Sequence, residues 1–102
     1  MKTHKSYRED LQERLKNPAY AREYLNAALA DADRRVFLLA LRDVADAHGM
    51  SRLATSTRIS REHFYRMLSK GGNPQWDTLR KVLDKIGFRL VVDLKPPHAL
   101  AA

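Results

Sequence analysis

Residues 51–69, SRLATSTRISREHFYRMLS, constrain this chain more than any other stretch. They read as two short helices joined by a tight turn. Ser51 is expected to N-cap the first, since its hydroxyl can accept a free backbone N–H of the first turn. Leu53 and Ala54 point inward, and the small Ala54 lets two helices cross closely. Ile59 sits in the turn and can plug the core. Ser60 is a second N-cap. Phe64, Met67 and Leu68 follow at i, i+3, i+4 and form one buried stripe. What remains faces outward: Arg61, Glu62, His63, Tyr65 and Arg66.

An outer face of that chemistry suits a helix-turn-helix reader of double-stranded DNA, in which one helix crosses the backbone and the next presents side chains to the major groove. Arginine can grip guanine O6 and N7 with two parallel bonds. The same helix angle is also used purely structurally. Charge separates the two. From 51 to 75, Arg52, Arg58, Arg61, Arg66 and Lys70 stand against Glu62, a net +4 out of +7 for the chain. A pI near 10.1 points to a polyanionic partner, nucleic acid or an acidic protein surface. Glu62 either accepts from a cytosine amino group or orients Arg66 four residues on, the second being favoured. His63 either contacts the nucleic acid or is simply solvated.

A length of 102 residues sets one domain with one modest core. Residues 1–5 read as a basic arm, 6–95 as the domain and 96–102 as a tail. A helix is expected from Ser6 to Lys16, with Tyr7, Leu11 and Leu15 on one face. Asn17-Pro18 restarts the chain as N-cap and first helical residue. Tyr20, Tyr24, Leu25, Ala28 and Leu29 then form an apolar stripe, read as core rather than as a partner site. The mixed-charge side of residues 6–31, with Arg8, Glu9, Arg22 and Glu23, is either a partner surface or merely solvated. Asp33 caps a third helix to His48, which buries Phe37, Leu38, Leu41, Val44 and Ala45 and stops at Gly49. Lys70–Pro74 is a loop by composition. Asp77 is expected to cap a last helix with Leu79, Val82, Leu83 and Ile86 inside, ended by Gly87.

Residues 88–94, FRLVVDL, change period. Phe88, Leu90, Val92 and Leu94 alternate with Arg89, Val91 and Asp93, a strand pattern. A lone strand needs partners for its backbone groups. The favoured solution is pairing with the same strand of a second copy, so Phe88, Leu90, Val92 and Leu94 are the expected dimerisation residues. The alternatives are a segment laid over its own helices and half of a hairpin. The expected fold is thus mainly α, five to six helices with one C-terminal β-strand.

Other chemistry finds no support. With no cysteine there is no disulfide framework and no thiolate. His4, His48, His63 and His98 have no metal-ligand spacing, and no phosphate loop or nucleophile motif occurs. No enzyme activity, cofactor or metal is expected. No run approaches a membrane span, and the charged N-terminus lacks a signal-peptide core. A cytoplasmic location is expected.

Three segments, NPAYAREYLNAAL, VFLLALRDVADAHGMSRLA and ISREHFYRMLSKGGNPQWDTLRKVLDKIGFRL, resemble the HigA-like addiction-module antidote proteins, the antitoxins of bacterial toxin–antitoxin pairs. The resemblance spans Asn17 to Leu94. It implies a helix-turn-helix like that of the lambda-repressor and Cro group, a homodimer on a palindromic operator ahead of its own operon, and a small RelE-like ribonuclease toxin as partner; the alternative is a stand-alone transcriptional regulator with the same DNA face and no toxin. Carried over by position, it places Ser60, Arg61, Glu62, His63, Tyr65 and Arg66 at the DNA. Ser51, Arg52, Thr55, Lys70 and Asn73 lie near phosphate, and Ile59 and Phe64 in the core. Two residues depart from the pattern. Arg58 replaces the usual glycine of a left-handed turn, at about 1–2 kcal/mol, while offering a phosphate contact. Trp76 replaces a small or aliphatic residue, either packing in the core, the favoured option, or anchoring an interface.

Overall fold

The computed structural model describes residues 6–97. The expected arm, 1–5, and residues 98–102 of the expected tail lie outside them. Among the described residues there are six helices: α1 (Tyr7–Leu15), α2 (Pro18–Leu29), α3 (Arg34–His48), α4 (Met50–Thr57), α5 (Arg61–Met67) and α6 (Trp76–Lys85). The mainly helical class expected from the sequence is what is found.

Local chemistry explains most boundaries. Ser6 and Glu9 form a reciprocal capping box at α1, each side chain accepting the other's backbone N–H. Asn17 accepts from Ala19 and Tyr20, with Pro18 opening α2. Asp33 accepts the Arg35 N–H at 2.9 Å and pairs with the Arg35 guanidinium at 2.7 Å. That bonding pulls the Asp33 carboxyl down to about 2. Two caps differ from expectation. Gly49, not Ser51, precedes α4, and Ser51 lies inside the first turn. Gln75, not Asp77, precedes α6, and Asp77 sits inside its first turn, where a carboxylate still favours the helix dipole.

α3 is the central helix. It buries Phe37, Leu38, Ala40, Leu41, Val44 and Ala45, against which α1, α2 and α4 pack. Leu15, Ala21, Leu25 and Ala28 cover it from α1 and α2, and Leu53, Phe64, Met67, Leu68, Val82 and Leu83 complete the core from the other side. The one buried polar residue among those described, Thr57, is satisfied because its hydroxyl donates to the Leu53 carbonyl at 2.8 Å.

Two helices end in the same way. After α6, Gly87 turns left-handed (φ 92°), its N–H bonds the Asp84 carbonyl, and the Phe88 N–H reaches back to Leu83 at 2.8 Å. After α4 the left-handed residue is Arg58 (φ 61°, ψ 32°), and the Ile59 N–H reaches back to Ala54 at 3.2 Å. The expected left-handed turn is therefore present, with a Cβ in it. Arg58→Gly should raise the thermal midpoint, relieving about 1 kcal/mol of backbone strain net of the added chain entropy. A melting curve measures it, and an unchanged or lower midpoint would show that Arg58 is unstrained.

Residues 88–94 form no strand among the described residues. A strand exists only as part of a ladder, and no other segment among the described residues offers one. Phe88 packs against the core instead, and Phe88, Leu90 and Val91 line a groove of about 320 Å³ with Leu25 and Leu29 of α2 and Phe37 of α3. This half of the segment lies over its own helices, the alternative left open above. Val92 and Leu94 are 98% and 91% exposed. Three aromatic expectations also change. Trp76 is exposed, not packed in the core. Tyr20 is exposed while Tyr24 is half-buried, its hydroxyl donating to Asp43 at 2.7 Å. Tyr65, expected to face outward, is half-buried against the core.

Candidate nucleic-acid interface

α5 is the shortest of the six described helices, and its position is set by Phe64, Met67 and Leu68, all buried. With those three side chains turned in, Arg61, Glu62, His63 and Arg66 are left exposed. Ser60 accepts the His63 N–H at 3.1 Å, fixing the start of the helix. α4 contributes Ser51, Arg52 and Thr55, also exposed. The Thr55 hydroxyl donates to the Ser51 carbonyl, which occupies its proton but leaves the oxygen able to accept. Arg58, Lys70 and Asn73 are exposed in the two flanking turns.

Two open clefts flank α5. Ser51, Arg52, Arg61 and Tyr65 line the one at its N-terminal end. His63, Arg66 and Asn73 line the other, about 500 Å³ in volume. The structure thus gathers most of the expected residues around one short helix. Tyr65 lines the first cleft with its hydroxyl turned inward, donating to Asp46 at 2.8 Å. The favoured Glu62–Arg66 pair does not form among the described residues. Arg66 Nη2 lies 3.4 Å from His63 Nδ1 instead.

No ion pair among the described residues reaches this face, nor the cations Arg80, Lys81 and Lys85 of α6. Every ion pair among the described residues joins side chains of α1, α2, α3 or the turns beside them. Arg52, Arg58, Arg61, Arg66 and Lys70 enter none of these pairs. Five cations therefore share one end of the molecule without internal carboxylate partners, an arrangement that favours an external polyanion. Arg34, not singled out from the sequence, joins them by donating to Asn73 Oδ1 at 2.8 Å. A separation of 39 positions hides that link from any local count of charge.

Among the described residues no group of His, Asp or Glu could hold a metal ion, and no helix is long and apolar enough to cross a membrane.

Comparison with known proteins gives two findings. The family described as "Probable addiction module antidote protein" matches residues 5–94. A protein of Haemophilus influenzae (strain Rd), described as an uncharacterized protein, is 36% identical over 83 residues, covering 81% of this chain and 86% of its own. No solved structure matches.

Proposed function

The chain belongs to the family of probable addiction module antidote proteins, and from that premise we propose that it is a DNA-binding antitoxin of a type II module. It neutralises a small ribonuclease toxin of the RelE/HigB-like class and represses its own operon. α4 and α5 act as a helix-turn-helix of the lambda-repressor and Cro kind, with Arg61 and Arg66 reaching base edges and Arg52, Arg58 and Lys70 facing phosphates. The observation that carries this reading is the set of five cations left without ion-pair partners around a helix held rigidly from behind.

The toxin meets a different surface. Across α1, α2 and the turn between them, four acids (Glu9, Asp10, Glu13, Glu23) stand against four bases (Arg8, Arg14, Lys16, Arg22), so this face lacks the basic excess of residues 51–75. Tyr7 and Tyr20, 82% and 39% exposed, supply aromatic anchors there. A homodimer completes the proposal, since repressors of this kind read two half-sites about one helical turn apart.

The test is a titration of the full chain on the DNA upstream of its own gene, beside a scrambled duplex of equal length, at low and physiological salt. A preference for its own duplex that survives physiological salt is expected. Arg61→Ala and Arg66→Ala should each weaken that binding by about 1–3 kcal/mol and erode the preference. Equal, salt-labile binding to both duplexes would mean that the face holds polyanions without reading sequence. Co-expression with the neighbouring gene tests the toxin arm: growth arrest by that gene alone, relieved by this chain, is the expected result.

A further inference from the structure

The cleft at the N-terminal end of α5 is not built by α4 and α5 alone. Arg8 enters it from α1 and Arg42 from α3. With Arg52 and Arg61 they put four guanidinium groups around one open space of about 690 Å³. The one carboxylate lining it is Asp46, and both its oxygens are engaged. Oδ1 accepts from the Tyr65 hydroxyl at 2.8 Å and Oδ2 from Arg8 at 3.2 Å. Arg8 is further drawn to Asp43 at 3.6 Å, whereas Arg42, Arg52 and Arg61 enter no ion pair among the described residues. Arg42 is the most telling of the four. Its guanidinium carbon lies 4.9 Å from the centre of the Tyr65 ring, and its Nε is buried with no hydrogen-bond partner. A buried N–H without an acceptor within the chain is uncommon.

We propose that Arg8 and Arg42 join Arg52 and Arg61 in clamping neighbouring backbone phosphodiesters of bound DNA, so that α1 and α3 extend the nucleic-acid contact beyond the helix pair. The inference rests on the DNA-binding function proposed above. A phosphodiester shares one negative charge over two non-bridging oxygens, which accept paired N–H groups from guanidinium in bonds roughly twice as strong as neutral ones. The first turn of α4 opens into the same cleft at Gly49, Met50 and Ser51, with no side chain capping it, so its backbone N–H groups add to the pull on an anion. Arg61, in the first turn of α5, ties the cleft to the helix that enters the groove, where a bordering strand runs. Asp46 and Tyr65 are positioning residues. The carboxylate holds Arg8 in place, and the Tyr65 ring holds Arg42, so less side-chain freedom is lost on binding.

Each phosphate contact contributes about 0.9 to the slope of log K against log salt concentration. The test is a titration of the full chain on its upstream duplex across a series of salt concentrations. Arg8→Gln and Arg42→Gln should each lower that slope by about 1 and leave the preference over a scrambled duplex unchanged. Arg8→Lys and Arg42→Lys, which keep the charge, should keep the slope. A wild-type slope in folded glutamine variants overturns the clamp, because a purely structural role moves only the melting temperature. Since Arg8→Gln also breaks two ion pairs, a second measurement uses the unaltered chain. The NMR resonance of the Arg42 Nε–H should shift when the upstream duplex saturates, and a stationary resonance overturns the clamp. An equal shift with inorganic phosphate alone marks a free-anion site and overturns the assignment to DNA. If the unaltered chain shows no preference for its own duplex, the DNA-binding function fails and the clamp with it. If it shows the preference but neither slope nor resonance responds, the clamp alone fails.

Discussion

Replacing Phe64 by alanine is expected to lower the unfolding free energy by about 3–5 kcal/mol, the range for a large aromatic removed from a core. Phe64 is fully buried and heads the fully buried side chains by volume. It also has a task that core residues of α3 do not. α5 has seven residues, too few to hold a helix in water by backbone hydrogen bonds alone. Its helical state depends on docking through Phe64, Met67 and Leu68. The change therefore leaves a cavity and loosens the helix that carries Arg61 and Arg66. In a domain whose whole stability is of order 5–15 kcal/mol, a loss of this size populates the unfolded state at growth temperature. Urea unfolding followed by circular dichroism reads it directly. Phe64→Leu, which keeps most of the volume, should cost much less. Equal midpoints for Phe64→Ala and the unaltered chain would mean that α5 is not held from behind.

The second large effect is expected at Gly72. A Cβ there would stand 1.9 Å from the Met67 carbonyl oxygen and 2.6 Å from its carbon. Both atoms belong to the backbone at the end of α5, so neither can swing aside as a side chain could. The Gly72 N–H also donates to Ser69 at 2.9 Å, folding the loop back onto the helix end. Gly72→Ala must push residues 70–74 away from α5, at about 2–3 kcal/mol by analogy with overpacked cores. It should displace Asn73 from Arg34 as well, and so disturb the cleft shared with His63 and Arg66. Gly71 supplies the control. A Cβ at that position meets nothing within 4 Å, and Gly71→Ala should change stability by no more than about 0.5 kcal/mol. The difference between these adjacent substitutions, measured by thermal melting, tests the loop conformation. Equal effects would mean that the loop does not rest on α5.

Much of this architecture could be read directly from the chain. Helix starts at Ser6, Asn17, Asp33 and Ser60 follow from short polar side chains that satisfy nearby backbone N–H groups. The left-handed turn after α4 was expected even with Arg58 in place of glycine. Misassigned caps at Ser51 and Asp77 share one cause. Gly49 and Gln75 begin their helices without a side-chain bond, so nothing local marks them. Tyr65 misled for another reason. On a helical wheel it lies at the border between the faces, and the residue that claims its hydroxyl, Asp46, stands 19 positions away.

The sequence by itself determined the helical class, the caps, the inward stripe of α5 and the concentration of positive charge between residues 51 and 75, because each depends on neighbours within a few positions. Only the tertiary structure decided which residues join that charge. Arg8, Arg34 and Arg42 reach it from α1, the start of α3 and the middle of α3, through pairings with no sequence period to announce them. It also decided the state of residues 88–94. Alternation prescribes a strand, but a strand forms only against a partner. Within this chain Phe88 and Leu90 find an apolar groove instead, and the backbone follows the side chains.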